Sequence, residues 1–172
     1  VVLTQSFRIE EPPVPVTLVN AAGVNINDYL LALRQVPEPV LAAFNAAGWT
    51  YRIDFDYMGG LSKKLNMSCI GATNYSQKTI YLSEASATLH EFGHFLDWML
   101  GFPAEYEQLF RAEASAAPLR NYAKTDSREY FADCFAYWVK YAENANAISL
   151  LQECAPMTYR YMEDLMRIAN RL

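Results

Sequence analysis

The chain has 172 residues, the length of one ordinary domain, and its 52% hydrophobic and 19% charged residues argue against a disordered protein. Lys and Arg number 14 against 19 Asp and Glu, and the resulting net charge of −5 argues against a general nucleic-acid-binding protein. No apolar run reaches the roughly 20 residues of a membrane helix, and three cysteines without CxxC spacing argue against a disulfide framework or a Cys-type zinc site.

Residues 1–19 contain three closely spaced prolines, Pro12, Pro13 and Pro15, in the sequence EEPPVPV. Closely spaced prolines favour an extended polyproline II conformation and do not form a helix. The chain starts at Val1 without a Met or the basic and apolar stretches of a signal peptide, so we expect either a processed mature protein or a trimmed one.

Two short helices are predicted next. From Asn27 onward, apolar residues recur at every third or fourth position. Pro37 and Pro39 divide this pattern in two, because a residue before proline avoids the helical conformation, and Gly48 ends the second piece.

A small sheet is expected after these helices. Alternating apolar and polar residues over Tyr51–Tyr57 predict a strand, which ends before the Gly59-Gly60 pair where a loop begins. Met67–Asn74 predicts a second strand and Thr79–Leu82 a third, with a turn between them.

The rest of the chain is predicted to be mostly helical. Ser83 is a suitable N-cap for a helix over residues 84–100, and Asp126 with Glu129 three residues later resembles a capping box for a helix that reaches residue 142. Further helices are predicted over residues 104–116 and 156–171. We therefore predict a single α+β domain over residues 1–172, with a small N-terminal α/β part that holds a short mixed sheet and a helical C-terminal part.

The only two histidines of the chain, His90 and His94, lie in the sequence HEFGH, which is the HExxH pattern. Four residues make about one helical turn, so both imidazoles leave the same helix face and can bind one metal ion. Two histidines and a glutamate fall into this pattern by coincidence about once in a thousand chains of this composition. The pattern therefore favours a metal site over a pair of structural histidines.

Glu91 lies about 100° around the helix from His90, where its carboxylate can reach a metal-bound water without binding the metal. Zinc lowers the pKa of its water, and a carboxylate so placed removes the proton and delivers it to the leaving nitrogen. Gly93 within this helix costs roughly 1 kcal/mol of helix stability, which indicates that another element approaches closely there.

A catalytic zinc needs a third protein ligand, and without a further histidine a carboxylate must supply it. Asp97 is about 10.5 Å from His90 along the helix axis, so we expect it to orient a ligand, or to pair with solvent or a lysine. Glu129 in SREYFADCF is the better candidate, because Asp133 lies one turn further on the same face and can hold a histidine N–H. A metal would also offset the cost of burying this carboxylate in an aromatic-rich helix.

HEFGHFLD followed by NYAKTDSREYFADCF is similar to the catalytic core of the anthrax lethal factor-like zinc metallopeptidases, and the chain length resembles their small secreted Pro-Pro endopeptidase branch. The resemblance implies a zincin-like fold and one Zn²⁺ per chain, held by His90, His94 and Glu129. It makes Glu91 the general base and gives Tyr122 the role of stabilising the oxyanion.

The same resemblance implies a secreted endopeptidase that cuts Pro-Pro bonds in proline-rich linkers of bacterial surface proteins. We expect a monomer without a nucleic-acid or membrane partner. Asp133 stands where the family usually has glutamate. Two hypotheses for EEPPVPV follow. It is either a stiff leader behind a signal peptide, or a segment that mimics the substrate or marks a self-cleavage site between Pro12 and Pro13.

In zincins the substrate lies extended along an edge strand that precedes the metal-binding helix, and Met67–Asn74 is the candidate edge. Gly71 there indicates either a close backbone approach or a bulge. Because proline lacks an N–H, proline recognition needs shape and aromatic contacts. Trp49, Tyr75 and Trp98 are candidate walls of the groove, and the alternative for each is a place in the core.

Two other functions stay open. One is a toxin-type or effector-type zinc protease of the same fold that cuts at non-proline sites, which a cleavage profile would distinguish. The other is a zincin-fold binding module without activity, against which the intact set of two histidines, two glutamates and a tyrosine argues.

Overall fold

The computed structural model describes residues 14–169, so Pro12 and Pro13 lie outside the described residues. The strands are β1 (Leu18–Asn20), β2 (Thr50–Ile53), β3 (Gly71–Asn74) and β4 (Thr79–Leu82). The helices are α1 (Asn27–Leu33), α2 (Glu38–Ala46), α3 (Phe55–Leu65), α4 (Thr88–Met99), α5 (Ala104–Glu113), α6 (Ser127–Tyr141), α7 (Ala145–Cys154) and α8 (Pro156–Ala169). This arrangement confirms the α+β class, with the sheet in the N-terminal half and helices in the C-terminal half.

The four strands form one mixed sheet in the order β1-β2-β4-β3. β1, β2 and β4 run parallel, and β3 pairs antiparallel with β4 in the register Gly71 to Leu82 and Asn74 to Thr79. The turn between β3 and β4 is closed by Asn74, whose side chain accepts the backbone N–H of Gln77 at 3.0 Å. In this strand order β3 lies at an edge of the sheet. It corresponds to the C-terminal end of the predicted strand Met67–Asn74.

The strand predicted over residues 51–57 is only half right, because β2 ends at Ile53 and α3 begins at Phe55. Asp54 causes the change: its side chain accepts the backbone N–H of Tyr57 at 2.9 Å and caps the helix. The glycine pair lies within α3, where each residue has open space around it. A helix, buried at Met58, therefore replaces the predicted loop.

The start of the metal-binding helix also differs from the prediction. A 3₁₀ turn at Ala85–Ala87 precedes α4, which begins at Thr88. Ser83 does not cap this helix, because the N-cap position of α4 is Ala87. The Ser83 hydroxyl donates to the carbonyl of Ile70 at 3.3 Å. Ser83 instead joins the segment before β3 to the segment after β4.

The predicted cap of α6 is confirmed, since the Asp126 side chain accepts the backbone N–H groups of Arg128 and Glu129. α7 was not predicted from the sequence. Its start is defined by Asn144, whose side chain accepts the backbone N–H of Ala147.

The core fills the space between the sheet, α2 and α4 and continues between α4, α5, α6 and α8. Its largest fully buried side chains are aromatic and include Phe44, Trp49, Phe92, Phe95 and Phe131. None of the helices between residues 14 and 169 combines the length and apolar character needed to span a bilayer. Within this core, α4 packs against the sheet on one side and against α6 on another.

Candidate active site

Gly93 allows α4 to pack closely against α6. A methyl group at this position would lie 2.6 Å from Cα and 2.8 Å from the carbonyl oxygen of Ala132. These are backbone atoms, which cannot move aside cheaply, so only glycine permits this distance between the helices. The close approach predicted at Gly93 is confirmed, and it brings the HExxH face of α4 next to Glu129.

Three potential ligand atoms converge between the two helices. Oε2 of Glu129 lies 3.0 Å from Nε2 of His90 and 3.4 Å from Nε2 of His94. The two Nε2 atoms lie 3.1 Å apart. The structure therefore brings together the three residues that the sequence analysis expected to hold a metal, and it makes each of them offer one atom to a common centre.

The protonation of His90 follows from its partner Asp133, whose Oδ1 lies 2.5 Å from Nδ1. An ionised carboxylate can only accept, so Nδ1 carries the proton and Nε2 faces the centre. Oε2 of Glu129 is buried, and it forms no hydrogen bond of good geometry with any residue in the range 14–169. A proton or a cation must lie among these acceptor atoms, and two imidazoles with one carboxylate fit a catalytic zinc ion.

The electrostatics of the metal-free site agree with this requirement. Burial lowers the pKa of His90, but the neighbouring carboxylates of Asp133 and Glu129 outweigh burial and raise the pKa to about 9. Burial alone would raise the pKa of Glu129, but His90 and His94 hold the pKa of this carboxyl well below its usual range. A metal ion would therefore bind here in competition with a proton.

Arg120 is a site residue that the sequence analysis missed. Its Nε donates to Oδ2 of Asp133 at 2.6 Å and its Nη2 donates to Oδ1 at 2.8 Å, so it holds the carboxylate that holds His90. Its guanidinium carbon also lies 5.3 Å from the ring centroid of Tyr122. The sequence signal was an arginine two positions before a tyrosine, and this pattern is too common to indicate a function.

Asp97 is 3% exposed, and Nδ1 of His94 has no hydrogen-bond partner within residues 14–169. Burial raises the pKa of Asp97 to about 6, against the opposing charges of His94 and Arg128. No hydrogen bond therefore joins Asp97 to His94 among the described residues, and the structure does not support the expectation that Asp97 orients this imidazole.

Glu91 and Tyr122 lie near the ligand cluster without belonging to it. Glu91 is 4% exposed, and its Oε2 accepts a hydrogen bond from Oγ1 of Thr73 at 2.7 Å. Burial raises the pKa of Glu91, against the opposing effect of the two imidazoles. The Tyr122 ring lies 6.3 Å from the ring of His90, and burial together with the charge of Glu129 raises the pKa of Tyr122 to about 12. The phenol is therefore a hydrogen-bond donor at neutral pH.

A cleft of about 950 Å³ passes over these residues. Gly71 and Tyr75 line it, as the sequence analysis expected. Trp49 does not: it is 1% exposed and packs its ring 5.2 Å from Phe95. Trp98 packs 5.1 Å from Trp49 and is also absent from the lining. The assignment of both tryptophans to the groove is wrong: the Trp49 ring fills the core, and the partly buried Trp98 packs against that core.

Comparison with known proteins relates this chain to a protein family, to a named relative and to solved structures. Residues 51–165 match the family model described as anthrax toxin lethal factor, N- and C-terminal domain. The Pro-Pro endopeptidase of Clostridioides difficile (strain 630) is 30% identical over 83 residues, which cover 46% of this chain and 36% of that protein. The match therefore spans only about a third of that relative's length.

The solved structure of the Pro-Pro endopeptidase PPEP-2 from Paenibacillus alvei has a TM-score of 0.65 and 19% sequence identity, over 86% of this chain and 96% of that chain. At this identity the similarity shows a shared fold. The family model covers most of the chain, including the HExxH helix, Tyr122 and α6. The chain belongs to the anthrax toxin lethal factor family.

Proposed function

We propose that this protein is a zinc-dependent endopeptidase that hydrolyses Pro-Pro bonds in extended, proline-rich protein segments. The observation that carries the proposal is the convergence of His90, His94 and Glu129 beside Glu91 in an open cleft. The name of the C. difficile relative supports the substrate class, and the fold shared with PPEP-2 agrees with it.

In this proposal His90, His94 and Glu129 hold one zinc ion. Bound zinc would lower the pKa of a water molecule and polarise the scissile carbonyl. Glu91 accepts the proton of the attacking water and delivers it to the leaving nitrogen. The burial of Glu91 supports this role, because a carboxyl group with a raised pKa is a more effective base near neutral pH.

Tyr122 donates its phenolic proton in a hydrogen bond to the oxyanion that forms at the scissile carbonyl. Its raised pKa supports this role, because the hydroxyl stays protonated. Asp133 orients the His90 imidazole, and Arg120 restrains both Asp133 and the Tyr122 ring.

The substrate would lie in an extended conformation along the free edge of β3, with its backbone paired to the strand. Prolines offer no N–H to such a pairing, so their rings need apolar contact. Leu65 and Met67 line the cleft and are about half exposed, and Tyr137 and Tyr141 of α6 also line it. These side chains would form the contact surface for proline rings.

We further propose that residues 1–172 form one metallopeptidase domain and that the enzyme is monomeric and secreted to act on linkers of bacterial surface proteins. A continuous core from Val16 to Met166 supports the single domain. Size-exclusion chromatography tests the monomer, and comparison of culture medium with cell lysate tests secretion.

The test of the function is incubation of the zinc-loaded chain with a peptide library varied around a central Pro-Pro bond, beside the Glu91→Ala variant, followed by mass spectrometry. Cleavage between two prolines by the wild type alone is the expected result. Cleavage at other bonds would keep the zinc peptidase and reject the proline specificity. An absence of cleavage in every peptide would reject the peptidase.

A further inference from the structure

Two residues of the edge strand β3, Gly71 and Thr73, face the side chain of Glu91. They are two positions apart, and alternate residues of a strand point to the same side of the sheet. Their strand is anchored in the antiparallel register Gly71 to Leu82 and Thr73 to Ile80. Leu82 and Ile80 are fully buried, so β3 is fixed to the core at both points.

Gly71 leaves the space that the Glu91 carboxylate occupies. A methyl group at residue 71 would lie 2.6 Å from Oε1 and 2.9 Å from Cγ of Glu91, and 2.8 Å from Cβ of Ala87. A methyl carbon does not approach carbon or oxygen atoms of other residues this closely. Because Ala87 belongs to the 3₁₀ turn before α4, the Glu91 side chain would have to move.

Thr73 contacts the other carboxylate oxygen. Its Oγ1 lies 2.7 Å from Oε2 of Glu91 and 3.3 Å from the backbone carbonyl oxygen of the same residue. The hydroxyl has one proton, and the shorter distance to a charged acceptor assigns this proton to the carboxylate. The terminal torsion of a glutamate side chain is intrinsically broad, so this hydrogen bond selects its orientation.

We propose that Gly71 and Thr73 are positioning residues for the general base, and that the strand expected to bind the substrate also orients the carboxylate that activates the water. The inference rests on the proposed endopeptidase function. One rigid element then sets both the place of the scissile bond and the direction of the base.

The test compares Thr73→Val, which keeps the side-chain shape without the hydroxyl, with Thr73→Ser, which keeps the hydroxyl. We expect Thr73→Val to lower kcat by about 10- to 100-fold, with KM and bound zinc per chain unchanged. Thr73→Ser is expected to recover most of kcat. Thr79→Val is the matched control: it makes the same substitution in β4, where the hydroxyl donates to the carbonyl of Gln77, and should leave kcat unchanged.

A second measurement does not depend on activity. A double-mutant cycle of Thr73→Val and Glu91→Ala, read as the urea midpoint of the metal-free protein, is expected to be non-additive, because the two side chains share one hydrogen bond. Additive midpoints, an unchanged kcat in Thr73→Val, or a loss of zinc that accounts for its lower kcat would each overturn the inference. If the wild type cleaves no peptide, the proposed function fails, and the cycle still decides whether Thr73 holds Glu91.

Discussion

At the scale of single residues, the two histidines of the cluster are held to different degrees. Nδ1 of His90 donates to Asp133, and Arg120 holds Asp133 through two hydrogen bonds. Nδ1 of His94 has no such partner among residues 14–169. Glu129 lies closer to His90 than to His94 and completes the cluster. His90 is therefore the ligand whose ring orientation the protein itself determines, and Glu129 is the residue on which closure of the cluster depends.

Replacing Glu129 with alanine should remove the third zinc ligand. We expect the zinc content after dialysis to fall sharply, because two imidazoles alone leave the metal with an incomplete protein ligand set. Equilibrium dialysis with metal analysis measures this. Glu91→Ala is the control, since Glu91 lies beside the cluster without joining it: this variant should keep its zinc and lose nearly all activity. Wild-type zinc content in Glu129→Ala would show that another residue is the third ligand.

Tyr122→Phe should affect catalysis without affecting binding. The substitution removes the hydroxyl that we propose donates to the developing oxyanion, and loss of one such donor lowers kcat by about 100- to 1000-fold. Steady-state kinetics on the best library peptide should show this loss with KM within the error of the wild type. A variant that instead raises KM and keeps kcat would assign Tyr122 to substrate binding.

At the scale of elements, the site forms because α4 packs closely against α6. Gly93 allows the helices to approach, and the same approach brings Glu129 to the histidines. Asp126 caps α6 alone, so the Glu129 side chain is not needed for a reciprocal capping box and instead contacts His90 and His94. The capping motif and the ligand set therefore overlap without conflict.

Gly93→Ala should destabilise the protein, because its methyl group would meet the backbone of Ala132 at 2.6 Å. Overpacking of this kind costs about 1–3 kcal/mol, measured as the free energy of unfolding in urea. Gly59→Ala is the matched control: it lies within α3 with nothing within 4 Å of the added methyl group. Since alanine is the better helix former, this variant should be about 0.5–1 kcal/mol more stable. Equal effects of both substitutions would contradict close packing at Gly93.

At the scale of the whole molecule, zinc should stabilise the fold, because its expected ligands lie on two separate helices of the core, α4 and α6. A ligand that binds only the folded protein raises its stability, by about 2.7 kcal/mol at a free concentration of one hundred times Kd. Removal of zinc with a chelator should therefore lower Tm, and addition of zinc should restore it. Glu129→Ala should show a much smaller shift in calorimetry. An equal shift in this variant would place the stabilising metal elsewhere.

The sequence alone determined those features that depend on short, regular spacing. The positions of His90 and His94 on one helix face follow from the helical repeat, and the cap at Asp126 follows from a local hydrogen bond. Gly93 revealed a close approach because glycine has a cost inside a helix that some contact must offset. Spacing on α6 also placed Glu129 and Asp133 on one face, which made them candidates before any contact was known.

The tertiary structure decided what depends on contacts between distant elements. Trp49 fills the core while Tyr75 lines the cleft, although both are aromatic residues near predicted strands. The contacts of Arg120 with Asp133 and of Thr73 with Glu91 join different parts of the fold, 13 and 18 positions apart in the chain. Residue type and spacing carry no record of which elements meet, because that depends on how the sheet, α4 and α6 pack around a common core.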